Sequence, residues 1–242
     1  MSRKRLDAVL VEQGLAPTRD RAKALILSGA VRVGDRPMIK AASMVATDAA
    51  VRVMEAPRYV GRGGQKLERA LDAFGIDPTG LVALDVGAST GGFTDCLLQH
   101  GARKVYAIDV GYGQLDYSLR QDARVVTMER VNARYPLDLP EVCDIATMDV
   151  SFISVTKVLP SIVAALHPAS RIIVLVKPQF EAGRAQVGKG GVVRDATIHA
   201  DVLAKTICWA IENGLRIRGL TPSPLLGDAG NREFLLLLET PR

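Results

Sequence analysis

The sequence predicts an α/β protein: a doubly wound, seven-stranded, mostly parallel sheet with a small α+β domain in front of it. Three observations carry this prediction. From residue 81 onward, short apolar runs alternate with helical patterns. Residues 81–95 read L-V-A-L-D-V-G-A-S-T-G-G-F-T-D, an apolar run ending in Asp85, then a glycine-rich turn, then a helical pattern. Strand, glycine turn and helix open a nucleotide-type site on sheets of this kind. Finally, the charge is uneven. Residues 1–66 carry 13 Lys and Arg against 6 Asp and Glu, whereas residues 67–242 carry 18 against 20. A basic front on a near-neutral body points to a polyanion-binding module.

The bulk numbers narrow the function classes. A chain of 242 residues with 48% hydrophobic content has ample core for one large domain and a small one. The three cysteines, Cys96, Cys143 and Cys208, show neither metal-ligand spacing nor a disulfide framework. A reducing cytoplasm is expected, with no metal. The amino terminus M-S-R-K-R-L-D has no apolar segment behind it, so no signal peptide is expected. No uncharged run approaches membrane-spanning length.

Taken in order, residues 1–56 form the first domain. Leu6, Val9 and Leu10 recur at helical spacing within 5–14. Thr18 and Asp20 are cap candidates for a second helix over 19–28, with Ala22, Leu25 and Ile26 on its apolar face. Strand-like pieces follow at 31–33 and 51–54, with a G-D-R-P turn at 34–37. Residues 57–64, P-R-Y-V-G-R-G-G, read as a linker. The second domain is 65–242. It opens with a helix over 65–74 that carries Lys66 in its first turn. Strands are expected at 81–86, 104–110, 124–129, 145–150, 172–177, 215–220 and 233–239. Helices are expected at 93–100, 155–166 and 196–213. Unbroken runs such as I-I-V-L-V belong to strands covered on both faces, hence a parallel sheet. The loop between the last two strands is too short for a helical crossover, so they should be antiparallel.

The glycine turn limits the ligand. Gly87-x-Ser89-x-x-Gly92 lacks the middle glycine of a dinucleotide fingerprint, and Asp85 would repel a diphosphate. Asp109 ends the next strand, about 20 residues on, where a carboxylate accepts both hydroxyls of a ribose. A cofactor with a ribose and a positive end but no phosphate suits this site, and S-adenosylmethionine is such a molecule. Two decoys compete. Gly87–Gly91 fits the G-x-S-x-G elbow of hydrolases, with His100, His167 and His199 as the only later histidines. Gly183–Lys189 fits G-x-x-x-x-G-K, but Gly190 follows where a phosphate loop needs Ser or Thr, so a mobile flap over substrate is expected there. Four charged residues stand out by placement: Lys66 ahead of the sheet, Asp149 and Lys177 ending strands, and Glu233 starting the last one. Charge where apolar strands finish gathers at the edge where open α/β sheets bind ligands.

Residues 5–34, R-L-D-x-x-L-V-x-x-G-L-x-x-T-R-x-x-A-x-x-L-I-x-x-G-x-V-x-V-G, resemble the RNA-binding module named after the fourth small-subunit ribosomal protein. That resemblance implies phosphate contacts from Arg3, Arg5, Arg19 and Lys40, with Lys4, Arg21 and Lys23 as weaker candidates. Lys66, Asp149, Lys177 and Glu233 resemble the Lys-Asp-Lys-Glu tetrad of FtsJ-like ribose methyltransferases. Together with D-V-G-A-S-T-G-G-F-T-D, D-V-S-F-I-S, V-K-P-Q-F-E and G-N-R-E-F, nearly the whole chain is similar to the TlyA (hemolysin-A) family of ribosomal RNA methyltransferases. The resemblance implies a Rossmann-like class I methyltransferase domain and transfer of a methyl group to a ribose 2′-hydroxyl, with cytidine as target. It implies ribosomal RNA or ribosomal subunits as partner. Lys177 would accept the hydroxyl proton or stabilise the developing alkoxide, oriented by Asp149, Lys66 and Glu233. Cofactor contacts would come from Asp85, Gly87, Ser89, Thr90, Gly91, Gly92 and Phe93, with Asp109 on the ribose, Asn132 at the adenine edge and Asp149 near the sulfonium.

Two other classes compete with this one. A non-catalytic RNA-binding or ribosome-assembly protein is opposed by the intact tetrad. A membrane-lytic hemolysin is opposed by the lack of a leader, a spanning segment or a basic amphipathic helix.

Overall fold

In the computed structural model, the described residues are 3–27, 29–38, 40–54, 58–227 and 229–242. The chain divides between Arg58 and Tyr59 into two compact units.

In the first unit, β1 (Arg3–Arg5) leads into α1 (Leu6–Glu12) and α2 (Arg19–Leu27), followed by β2 (Val31–Val33), β3 (Arg36–Met38), β4 (Met44–Ala46) and β5 (Val51–Val53). β1 pairs with β4, and β3-β2-β5 form a second antiparallel sheet. Leu6, Val9, Leu10, Ala22 and Ile26 fall on the inner faces of the two helices and are at most 1% exposed. They pack against Val31, Val45 and Val51. Three strands exceed the expectation from sequence. β1 is R-K-R, exposed throughout, and shows no apolar alternation to read. β4 supplies its partner. The turn at 34–37 is shorter than expected, because Arg36 and Pro37 already belong to β3, an edge strand where proline is tolerated. Position 28, at the end of the expected second helix, lies outside the described residues.

The second unit contains α3 (Gly63–Phe74), β6 (Val82–Val86), α4 (Gly92–Gln99), β7 (Lys104–Asp109), α5 (Tyr117–Gln121), β8 (Val125–Glu129), β9 (Cys143–Met148), α6 (Leu159–Ala164), β10 (Leu166–Val176), α7 (Pro178–Glu181), α8 (Ala196–Glu212), β11 (Arg216–Pro222) and β12 (Phe234–Glu239). The seven strands run in the order β11-β12-β10-β9-β6-β7-β8. Only β12 is reversed, antiparallel to both neighbours. Successive strand residues face opposite layers. Ala83, Val105, Ile173 and Leu235 meet Leu67 of α3 and Leu97 of α4. Leu84, Tyr106, Val174 and Leu236 meet Ile162 of α6 and Val202 of α8. Helices on both faces explain the unbroken apolar runs. From β6 the chain winds outward through β7 and β8, then returns to β9 on the other side of β6. The crevice beyond the carboxyl ends of β6 and β9 is the switch point where such sheets take ligands.

Two expectations shift. The helix expected over 155–166 is a 3-10 turn, Val155–Lys157, followed by α6, which starts with Pro160 in its first turn. Leu166 already belongs to β10. The expected linker also overlaps the second unit. Tyr59 is 3% exposed and part of its core, and α3 begins at Gly63. Gly64 is glycine for close packing, since a Cβ there would overlap the Tyr59 ring. Gly64→Ala should therefore destabilise the protein by roughly 1–3 kcal/mol in urea denaturation. A change within about 0.5 kcal/mol would show that Tyr59 yields freely.

Candidate active site

The site is built on the turn after β6. Gly87 has φ +83, and a Cβ there would run into the backbone carbonyl of Asp149. Its N–H donates to the Ile108 carbonyl at 2.9 Å, fastening the turn to β7. Ser89 has φ +48, and its N–H donates to Asp109 Oδ2 at 2.8 Å. Asp109 Oδ1 accepts from the Gly111 N–H at 2.7 Å. Asp109 thus holds the turn and still presents carboxylate lone pairs to the space beside it.

Two cavities flank this turn. One, of about 330 Å³, has walls of Ile108, Val131, Ile153 and Val158, with Asp109, Asn132 and Gln114 as polar lining. The other, of about 370 Å³, is lined by Lys66, Asp149, Lys177 and Glu233, together with Thr90, Gly92 and Phe93. Gly87, Ser89, Asp149 and Ser151 border both.

The four charged residues form two ion pairs. Lys66 Nζ donates to Glu233 Oε2 at 2.6 Å, with both side chains buried. Lys177 Nζ lies 2.5 Å from Asp149 Oδ1, a close ion pair. Lys177 Nζ also donates to Ser151 Oγ, at 3.0 Å. Charges this deep need partners to remain charged. Sheet register assembles them. Asp149 follows β9 and Lys177 follows β10, parallel neighbours, while Glu233 precedes the reversed β12. Lys66 reaches in from the first turn of α3.

In the first unit, Arg3, Arg5, Arg19, Lys23 and Lys40 are all exposed. Arg3 donates to the Met44 carbonyl at 2.8 Å, and Lys23 pairs with Asp20 at 3.0 Å. Arg5 and Arg19 both reach the buried carboxylate of Asp7. The two guanidiniums hold the Asp7 carboxyl down at about 2.

Residues 59–240 match the FtsJ-like methyltransferase family, and residues 4–49 match the S4 domain. The chain belongs to the FtsJ-like methyltransferase family. Over 99% of its length it is 49% identical to a Bacillus subtilis protein named "Putative rRNA methyltransferase YqxC", covering 86% of that protein. Over 98% it is 46% identical to the 16S/23S rRNA (cytidine-2′-O)-methyltransferase TlyA of Mycobacterium tuberculosis, covering 90% of it. A solved structure titled "Putative hemolysin from Streptococcus thermophilus" superposes with a TM-score of 0.76 at 42% identity, covering all of this chain and 90% of that one. Among the described residues, no helix is long and apolar enough to cross a membrane.

Within this family frame, two expected cofactor residues sit apart from the cavities. Gly91, with φ +97, borders neither; its missing Cβ makes room for Leu115 and Leu119. Asp85 lies beneath the turn, fully buried, accepting from Thr94 Oγ1 at 2.6 Å and Thr147 Oγ1 at 2.9 Å. Burial outweighs these bonds and, with some repulsion from Asp149, lifts its carboxyl to about 6. The hydrolase decoy has no base, since no histidine lines either cavity. His199 instead bonds the Val193 carbonyl at 2.9 Å. Gly183–Lys189 follows α7 rather than a strand and contains a single 3-10 turn. Sequence reasoning missed Ser151, Gln114, Arg62 and Phe152. Ser151 and Phe152 sit inside D-V-S-F-I-S, where nothing distinguishes them from a solvated loop. Phe152 is 91% exposed with φ +64, an unusual backbone for a bulky residue, and its ring meets Phe180 at 5.0 Å.

The raised Asp85 carboxyl has a stability consequence. Its folded value lies above the ordinary 3.8, so its contribution is full below that value and is lost as pH rises through about 6. Asp85→Asn should remove this decline and leave the protein more stable at pH 7, by an amount of order 2 kcal/mol. Urea denaturation between pH 4 and 8 reads it, and a variant with the wild-type slope would contradict it.

Proposed function

We propose that the protein transfers a methyl group from S-adenosylmethionine to a ribose 2′-hydroxyl of ribosomal RNA, with cytidine as the target nucleoside. The observation that carries this reading is the pair of lysine–carboxylate contacts in one cavity, adjoining an apolar cavity edged by Asp109. The cofactor fits these residues on their chemistry. Asp85, Asp109 and Asp149 would repel a diphosphate but suit a cationic nucleoside. Asp149 borders both cavities and would set a carboxylate near the sulfonium. Asp109 would hold the ribose hydroxyls. Ile108, Val131, Ile153 and Val158 would cover the adenine, with Asn132 at its polar edge. Gly87, Ser89, Thr90, Gly92 and Phe93 would border the methionine part.

When bound, the cofactor supplies a methyl group on a sulfonium sulfur. The remaining work is positioning and proton handling. Lys177 Nζ, braced by Asp149 and Ser151, faces the second cavity and would meet the 2′-oxygen. Ion-paired Lys177 would stabilise the developing alkoxide with its charge, and the proton leaving that oxygen would pass to the Asp149 carboxylate. Lys66 and Glu233, locked to each other, shape the wall against which the ribose is aimed. Burial of Lys66, Lys177 and Glu233 would limit the water that reaches the reacting oxygen. The S4 unit would deliver the RNA through phosphate contacts from Arg3, Arg5, Arg19, Lys23 and Lys40.

Lys177→Ala should reduce transfer to ribosomal subunits by at least about a thousandfold while leaving cofactor affinity within a few-fold. Collapse of cofactor binding instead would move Lys177 out of the reacting pair. Arg5→Ala combined with Arg19→Ala should weaken RNA binding and lower the slope of log affinity against log salt by about two. An unchanged slope would remove these arginines from the phosphate contacts.

A further inference from the structure

Among the described residues of the first unit, Asp7 is the most deeply buried charge, at 0% exposure, and two of the RNA-contact candidates, Arg5 and Arg19, reach it. Its Oδ1 accepts from Arg5 Nε at 3.1 Å and from Arg19 Nη2 at 3.2 Å, and its Oδ2 accepts from Arg5 Nη2 at 2.9 Å. One guanidinium comes from β1 and the other from the first residue of α2. Their side chains remain 46% and 56% exposed. Each guanidinium has five N–H donors, and the carboxylate engages two on Arg5 and one on Arg19. The inner edges are thus tied down while the outer edges face solvent. The carboxylate stays ionised far below neutral pH, so the tie is permanent under working conditions.

We propose that Asp7 is a positioning residue for RNA recognition: its buried carboxylate holds Arg5 and Arg19 as a preformed two-pronged clamp for RNA phosphates. The inference rests on the RNA-binding reading of this unit and adds a role for a residue of the wrong charge to touch RNA. A free arginine loses rotamer freedom when it docks on a phosphate, and here that ordering has already occurred in the unbound protein. The shared carboxylate also fixes the spacing between the prongs, which two independent surface arginines would not have.

The test uses opposed signs. Asp7→Asn removes one negative charge, so charge alone raises affinity for a polyanion. Loss of preorganisation lowers it. For the full-length variant binding isolated ribosomal subunits, the expected result is a five- to tenfold loss of affinity with the salt slope unchanged, since both arginines stay charged. A merely structural Asp7 would not produce that combination in a variant with wild-type circular dichroism. Equal or tighter binding by such a variant overturns the proposal. Should Asp7→Asn fail to fold, side-chain relaxation in the wild-type protein decides. Arg5 Nε–H should be as rigid as the backbone without RNA while Arg21 Nε–H is mobile, and a mobile Arg5 overturns the clamp. Wild-type protein that does not bind the subunits would overturn the RNA reading itself, which is a different outcome from wild-type binding that survives Asp7→Asn.

Discussion

The catalytic unit depends on one close approach, between the turn after β6 and the end of β9. Gly87 has no Cβ, and the Asp149 carbonyl occupies the space a Cβ would take. The Asp149 N–H also donates to the Val86 carbonyl at 2.9 Å, continuing the β6–β9 ladder by one bond. Because of this contact, the glycine turn and Lys177 share a wall. Asp149 lines both cavities, and so does Ser151, which receives the Lys177 hydrogen bond. The rest is register. Lys177 ends the strand beside β9, and Glu233 precedes the strand beside that, so three of four charged groups arrive from adjacent positions on one edge. A rigid sheet can hold such geometry more tightly than loops could.

Much of this was legible from residue order. Every strand of the large sheet overlaps its expected run, with ends shifted or extended, since strands covered on both faces advertise themselves as unbroken apolar segments. The four charged residues could be found because they interrupt those runs at their ends. Less was legible where contact rather than pattern sets the structure. The R-K-R strand at 3–5 exists through its partner at 44–46. The glycines at 61, 63 and 64 look like a flexible linker in one dimension, yet Gly64 is packed against Tyr59. Ser151 matters only because β10 brings Lys177 to it. The pairing within the tetrad, Lys66 with Glu233 and Lys177 with Asp149, could not be assigned from order alone.

Buried charge is the common thread across both units, and each instance meets its desolvation cost differently. Asp7 meets it with two arginines and stays ionised. The tetrad meets it with two opposite-charge contacts, leaving no net charge in the second cavity from these four residues. Asp85 is held by neutral threonine donors, and its carboxyl is lifted to about 6. Neutral donors stabilise a carboxylate less than a cation does. In the proposed reading, a sulfonium cofactor would bring positive charge to the cavities edged by Asp109 and Asp149, close to buried Asp85. On that reading the two units divide by charge: arginines on the first unit would address phosphates, and carboxylates around the glycine turn would exclude them.

The central claim is that the lysine–carboxylate cavity acts on a ribose oxygen. It is tested most directly by supplying S-adenosylmethionine with a labelled methyl group to the protein and isolated ribosomal subunits, digesting the RNA to nucleosides and locating the label by mass spectrometry. Label is expected on the ribose of 2′-O-methylcytidine, with the base unmodified. Label on a base, or none on RNA under conditions where the cofactor binds, would contradict it.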